Sequence, residues 1–357
     1  MEDSARAFLE ELVTTPGVSG YEQPVQKAVQ KYAKSFADEI ETDLHGNVIL
    51  KKNVTAPIRV MYAGHCDQIG MIISQIDDLG FLYFQTVGGW DPHQLVGQRV
   101  SVWVNEGETL NKIPGVIARK AIHLQDEAER QQITKAVDLW IDIGANDKAE
   151  AQSLVTIGDS ATLQLGFQEL RNGYANAPAM DDRTGLWVCI EAMRRAGNDL
   201  RCALFVASTV QEEIGLRGAK TAAYSIDPHV GIAVDVTHAT DCPTIDKRQQ
   251  GEINLGQGPV IFRGPNMNPK VVDRLVRESD AKKTPYQISA LGRAAPNDSN
   301  SLQVNRGGVA SGLVAIPNRY MHSAVETISL DDIDHAADLL ADFAKSISPD
   351  DDFRPTI

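Results

Sequence analysis

Residues 202–236 read CALFVASTVQEEIGLRGAKTAAYSIDPHVGIAVDV, and this stretch decides the fold class. Cys202–Thr209 is an unbroken apolar run of strand length. Leu216–Tyr224 carries a helical pattern, and His229–Val236 is a second apolar run. The same alternation extends outward in both directions. Upstream lie an apolar strand at Ile58–Ala63 and a helix at Asp182–Ala196; downstream lie a helix at Pro269–Lys282, a strand at Val309–Ile316 and a closing helix at Leu330–Ser346. Strands and helices in turn predict an α/β domain with helices on both faces of a buried sheet. Ligands of such sheets collect at the carboxyl ends of the strands.

The N-terminal segment predicts two helices. Asp3 or Ser4 is placed to cap the first, whose apolar face is Phe8, Leu9, Leu12 and Val13. Ser19 and Glu22 have the spacing of a capping box ahead of the second. After Asp67 the texture changes. Gly70–Ile76, Phe81–Thr86, Arg99–Asn105, Val116–Arg119 and Leu139–Ile143 are short strand-like runs, most of them divided by turn residues. The expected organisation is an α/β domain from residues 1–67 and 164–357, interrupted by a small β-rich domain over 68–163.

The bulk properties exclude some partners. With 34 basic and 48 acidic residues among 357, the net charge is −14. That argues against nucleic acid, which needs a basic face. No apolar run approaches the length of a membrane span, and the acidic start lacks the form of a secretory signal. Cys66, Cys189, Cys202 and Cys242 show no paired spacing, so a reducing, cytoplasmic home is expected.

Five polar clusters punctuate this frame: Gly64-His65-Cys66-Asp67, Met180-Asp181-Asp182-Arg183, Gln211-Glu212-Glu213, Val234-Asp235-Val236 and Tyr320-Met321-His322-Ser323. Each sits at or past the end of an apolar strand, except the second, which opens a helix. His65 with Asp67 fits a metal ligand beside the carboxylate that orients its ring; a polar turn is the plainer account. Asp181-Asp182 suits either a helix cap or a carboxylate between two cations. Glu212-Glu213 would repel without a cation nearby, one able to ligate and the other to hold water. Asp235, inside an otherwise apolar strand, is costly unless paired or metal-bound. His322 alone would be a hydrogen-bonded loop residue. Together, histidine and carboxylate groups in this number suit Zn²⁺ or Co²⁺ and a hydrolytic reaction.

The segments GHCDQIG, AMDDRTG, QEEIG, VDVTHATDCP and IPNRYMHS resemble the motifs of the tetrahedral (TET) aminopeptidases over nearly the whole chain. The resemblance implies a Zn-peptidase-like three-layer αβα catalytic domain and a cytosolic exopeptidase with two divalent metal ions per subunit. It implies that His65 and Asp235 are terminal ligands on one side, that Asp181 bridges, and that Glu213 and His322 ligate the other metal. Glu212 would be the general base for water held between the metals, Asp67 the orienter of His65, and the Asp181–Asp182 peptide cis. It further implies peptide substrates, dimerisation through the inserted domain, and a dodecamer built from dimers. Gln68 and the loop Ala295–Ser299 depart from the family pattern. The nearest alternative is a related amidohydrolase such as a deacylase. Glycoside hydrolysis, which uses two carboxyl groups ~5–10 Å apart, leaves the histidines unexplained. A non-catalytic assembly protein leaves the intact ligand set and Glu212 without a use.

Overall fold

The computed structural model describes residues 1–107 and 109–355, the side chain of Glu106 aside. By its internal contacts the chain divides into two units. One comprises Met1–Asp67, Phe167–Met321 and Val325–Ile357; the other comprises Gln68–Gly166 with His322–Ala324.

The larger unit is built on a mixed sheet of eleven strands among the described residues. Its centre is four parallel strands in the order Ala203–Thr209, Arg59–His65, Val230–His238, Ala310–Arg319. All are buried nearly throughout, as their continuous apolar runs require. Val48–Lys52 and Glu39–Thr42 extend one side as an antiparallel pair. Val260–Arg263 and Thr327–Ser329 both pair antiparallel with Ala310–Arg319.

Side-chain alternation sorts the helices into two layers. A Cβ on Gly64 would strike the helix Met180–Ala196, and one on Gly312 would strike Val271 of the helix Pro269–Lys282. Tyr62, on the same face of its strand as Gly64, donates its hydroxyl to the Leu340 carbonyl in Leu330–Ser346. Gly231 points the other way, toward Leu302 in the helix Asp298–Gln303, which packs with Arg217–Ile226. The result is the three-layer αβα arrangement.

Two helix starts differ from the sequence reading. The first helix, Asp3–Thr14, follows Glu2 and has no side-chain cap. The capping-box reading of Ser19 and Glu22 is overturned. The second helix, Gln23–Ala33, has no side-chain cap; the Ser19 hydroxyl is drawn to Asp67, and the Glu22 carboxylate accepts the amides of Gly20 and the distant Gln211.

The smaller unit is a closed barrel of six strands: Gly70–Ile76, Leu82–Val87, Trp140–Asp142, Thr109–Ala118, Arg99–Glu106 and Ser160–Leu163. Met71, Ile73, Leu82, Val102 and Ile141 fill its interior. The strand expected only at Val116–Arg119 begins at Thr109, because Pro114 and polar neighbours interrupt its apolar signal.

Candidate metal centre

Parallel strands bring their carboxyl ends to one edge, and the polar clusters of the larger unit gather there. His65 is the last residue of its strand and 2% exposed. Its Nε2 lies 3.1 Å from Asp181 Oδ1 and 3.8 Å from Glu212 Oε2. Its Nδ1 lies 3.2 Å from the Asp67 carbonyl oxygen and 3.4 Å from Asp67 Oδ1. Nδ1–H therefore donates to Asp67, and Nε2 faces the Asp181 and Glu212 carboxylates.

Asp67, fully buried, joins three segments. Its carboxylate accepts the Ser19 hydroxyl at 2.6 Å, the Glu212 amide at 3.0 Å and the Glu213 amide at 3.2 Å. One side chain thus orients His65 and fixes the turn that carries both glutamates.

The adjacent aspartates have separate tasks. Asp182 accepts the Gly185 amide at 3.1 Å and the His65 amide at 3.3 Å, so it caps the helix and ties it to the strand. Asp181 points its Oδ1 at His65, while its own amide donates to Glu326 Oε2 at 2.9 Å. The peptide bond between the two is cis. Arg183, the next residue, is wholly buried and donates to the carbonyls of Leu12, Thr15 and Cys66. The helix start is thereby tied to the N-terminal segment.

Two groups of ligand atoms result, each with its atoms within 4.8 Å of one another: His65, Asp182 and Asp235, and His65, Asp181 and Glu213. Four of the five residues expected as ligands are thus brought together. Asp182 enters the first group beside its capping role. Glu212 belongs to neither. His322 belongs to neither, and by its contacts it falls in the smaller unit, where its Nδ1 lies 2.9 Å from the Gly89 carbonyl oxygen.

The electrostatics call for a cation. Burial, reinforced by Asp235, Asp298 and Glu213 and opposed by His65, pushes the Glu212 carboxyl up to about 10. Burial likewise holds Asp235 and Asp182 well above the carboxylate range. His65 is held well above the usual imidazole value; burial works against this, but Glu212, Asp181 and Asp67 outweigh it. One imidazole among so many carboxylates leaves the pocket short of positive charge. Oxygen and imidazole donors at this spacing fit a divalent cation.

Sequence reasoning missed several contributors. Asp298, 2% exposed, accepts the Thr209 hydroxyl at 2.7 Å through Oδ2, while its Oδ1 has no hydrogen-bond partner. Burial pushes it up to about 6. It opens the helix Asp298–Gln303, within the Ala295–Ser299 stretch read from sequence only as a departure from the family. Glu326 lies four residues past His322, and that proximity was the available signal. Glu22 read as a capping residue; burial pushes it up to about 7.

A pocket of this composition at the strand ends of a three-layer αβα domain has the donors to hold divalent cations and suits a hydrolase. Residues 46–339 match the model of the M42 glutamyl aminopeptidase family. The lysyl aminopeptidase of Pyrococcus furiosus is 37% identical over 355 residues, covering 98% of this chain and 99% of that protein. A TET aminopeptidase from a marine-sediment Thaumarchaeota archaeon superposes with a TM-score of 0.91 at 33% identity, over 97% of each chain. The TET1 peptidase of Pyrococcus horikoshii, described as able to assemble into a tetrahedron or a large octahedral shell, superposes at 0.85 with 30% identity, over 96% of this chain and 100% of that one. The chain belongs to the M42 glutamyl aminopeptidase family and is an aminopeptidase.

Proposed function

We propose that this aminopeptidase removes N-terminal residues from peptides using two divalent metal ions, Zn²⁺ or Co²⁺, with Glu212 as the general base. The observation that carries the reading is the divergence of two neighbours. Glu213 stands in a ligand group with His65 and Asp181, whereas Glu212 stands outside both groups with its carboxylate 3.8 Å from His65 Nε2. Bound divalent cations supply the positive charge that polarises a scissile carbonyl and acidifies water. His65, Asp181, Glu213 and Asp235 hold that charge. Glu212 takes the proton of the attacking water and passes it to the leaving amine. Asp67 keeps the His65 ring and the Glu212 amide in register. The ligand role of His322 rests on its motif.

The resemblance also supports a homo-oligomer, a dodecamer assembled from dimers through the inserted β-rich domain expected over residues 68–163. Four free cysteines support a cytoplasmic home. Among the described residues no helix is long and apolar enough to cross a membrane.

The test is a pair of variants. Glu212→Gln is expected to keep its metal and lose ~10²–10⁴ in kcat, while Glu213→Gln loosens the metal. If Glu212→Gln sheds metal and Glu213→Gln keeps it, the two roles are reversed. Substrates with a free and with an acylated amino terminus separate this enzyme from a deacylase.

A further inference from the structure

Between the strand Ala203–Thr209 and the helix Arg217–Ile226 runs the turn that carries Glu212 and Glu213. Four successive amides of this turn donate to side chains. Val210 N–H donates to Asn47 Oδ1 at 3.0 Å, and Gln211 N–H to Glu22 Oε1 at 3.2 Å. Glu212 N–H and Glu213 N–H donate to the two oxygens of Asp67 at 3.0 and 3.2 Å. All three acceptors come from residues 22–67, and all are buried.

The turn needs such a hold. Gln211 has φ +56°, a left-handed conformation that crowds the Cβ of a non-glycine residue against its own backbone. That conformation lets two adjacent residues aim differently, one carboxylate into the ligand group and one beside it. The acceptors are themselves held. Glu22 Oε1 also takes the Gly20 amide at 2.7 Å. Asn47 Nδ2 donates to Asp43 at 2.6 Å, to the Gly218 carbonyl at 3.1 Å and to Thr221 at 2.9 Å. Gln26 Nε2 secures the strand just before the turn through the Ser208 carbonyl at 2.9 Å. A buried carboxylate at Glu22, close to the charge of Asp67, is costly and calls for a structural use.

We propose that Glu22, with Asn47 beside it, is a positioning residue of the reaction: its carboxylate oxygen holds the left-handed Gln211 and so sets the separate directions of Glu212 and Glu213. This rests on the roles given above to those two glutamates. Glu22 stands in neither ligand group, and its Oε1 accepts the Gly20 and Gln211 amides. It acts through an amide, so an acceptor atom at the right reach is what matters, not its charge.

Glu22→Gln and Glu22→Asp separate reach from charge. Gln keeps the acceptor in place, whereas Asp keeps the charge and withdraws it by one carbon–carbon bond, about 1.5 Å. Three readouts are taken: amide exchange of residues 211–213 in metal-free protein, Zn²⁺ affinity by chelator competition, and kcat and KM on an aminoacyl amide. Glu22→Asp is expected to speed exchange, to weaken Zn²⁺ binding by ~10–100-fold, and to lower kcat with KM held. Glu22→Gln is expected to follow the wild type in exchange and Zn²⁺ affinity. Equal losses in the two variants, or none in either, overturn the proposal. If Glu22→Asp does not fold, Glu22→Gln alone decides, since a loss of exchange protection or of Zn²⁺ affinity in it overturns the proposal. A wild-type protein without turnover would defeat the peptidase roles while leaving the exchange and Zn²⁺ arms readable.

Discussion

Gly64→Ala tests the junction on which the metal centre depends. Gly64 precedes His65, and a Cβ there would lie 2.6 Å from Leu186 N, 2.7 Å from Leu186 Cα and 2.9 Å from Gly185 C. Ordinary contact begins at 3.4 Å, so the closest approach falls 0.8 Å short. Every opposing atom is backbone, and no rotamer change relieves the overlap. The strand and the helix Met180–Ala196 must part by about that distance. Overpacking of this kind costs ~1–3 kcal/mol, and backbone against backbone belongs at the upper end. The same movement separates His65 from Asp181 and Asp182, now 3.1 and 3.3 Å away. A displacement near 1 Å in a catalytic constellation costs on the order of 10² in rate. The assay is thermal melting, Zn²⁺ titration and kcat/KM, with Gly307→Ala as the control, since a Cβ there meets nothing within 4 Å. If Gly64→Ala melts with the control and binds Zn²⁺ as tightly as wild type, the close approach does not set the site.

Further outcomes follow from the buried charges. Asp67→Ala strips the acceptor from the Ser19 hydroxyl and two amides; Zn²⁺ affinity should drop ~10–100-fold by chelator competition, and an unchanged value would refute the orienting role. In metal-stripped protein the Glu212 carboxyl stands at about 10, above its ordinary 4.5. Its stabilising contribution is therefore complete below pH 4.5 and lost as the pH rises toward 10, so the Tm of stripped protein should fall between pH 6 and 9 while that of Zn²⁺-loaded protein stays level. Equal slopes would count against the site. Arg274 pairs with Asp351 and holds its carboxyl below the ordinary 3.8; that contribution is present above pH 3.8 and disappears as the pH falls through the lowered value, so Arg274→Met should flatten the acid limb of the Tm profile. A limb as steep as the wild type's would remove the pair from the account.

Sequence was most legible where local signals agree. The helix Pro269–Lys282 begins on a proline behind Asn268, whose side chain takes the amides of Lys270 and Val271. The central strands announced themselves by unbroken apolar runs, and that made Asp235 conspicuous. Legibility ended where distance decides. Ser19 and Glu22 satisfy the spacing of a local cap, yet their partners Asp67 and Gln211 lie 48 and 189 positions further along the chain. No periodicity encodes such a pairing. Val260–Arg263, Gln287–Ala290 and Thr327–Ser329 escaped notice for a related reason: runs of three or four residues become strands only through their neighbours. Asp181-Asp182 left a cap and a bridge equally open, and the structure gives Asp182 the cap while both aspartates reach ligand groups.

The excess of buried carboxylate makes the centre an ion exchanger. Without metal, the folded chain binds protons at Glu212 and Asp235 that the unfolded chain would release at neutral pH. A divalent ion held there would favour release of these protons, so loading is expected to acidify a weakly buffered solution and apparent affinity to climb with pH. Acidity and metal supply therefore act as opposing inputs on one reservoir. On the metal-dependent reading proposed above, the loaded fraction rises with metal supply and falls with acidity before any peptide arrives.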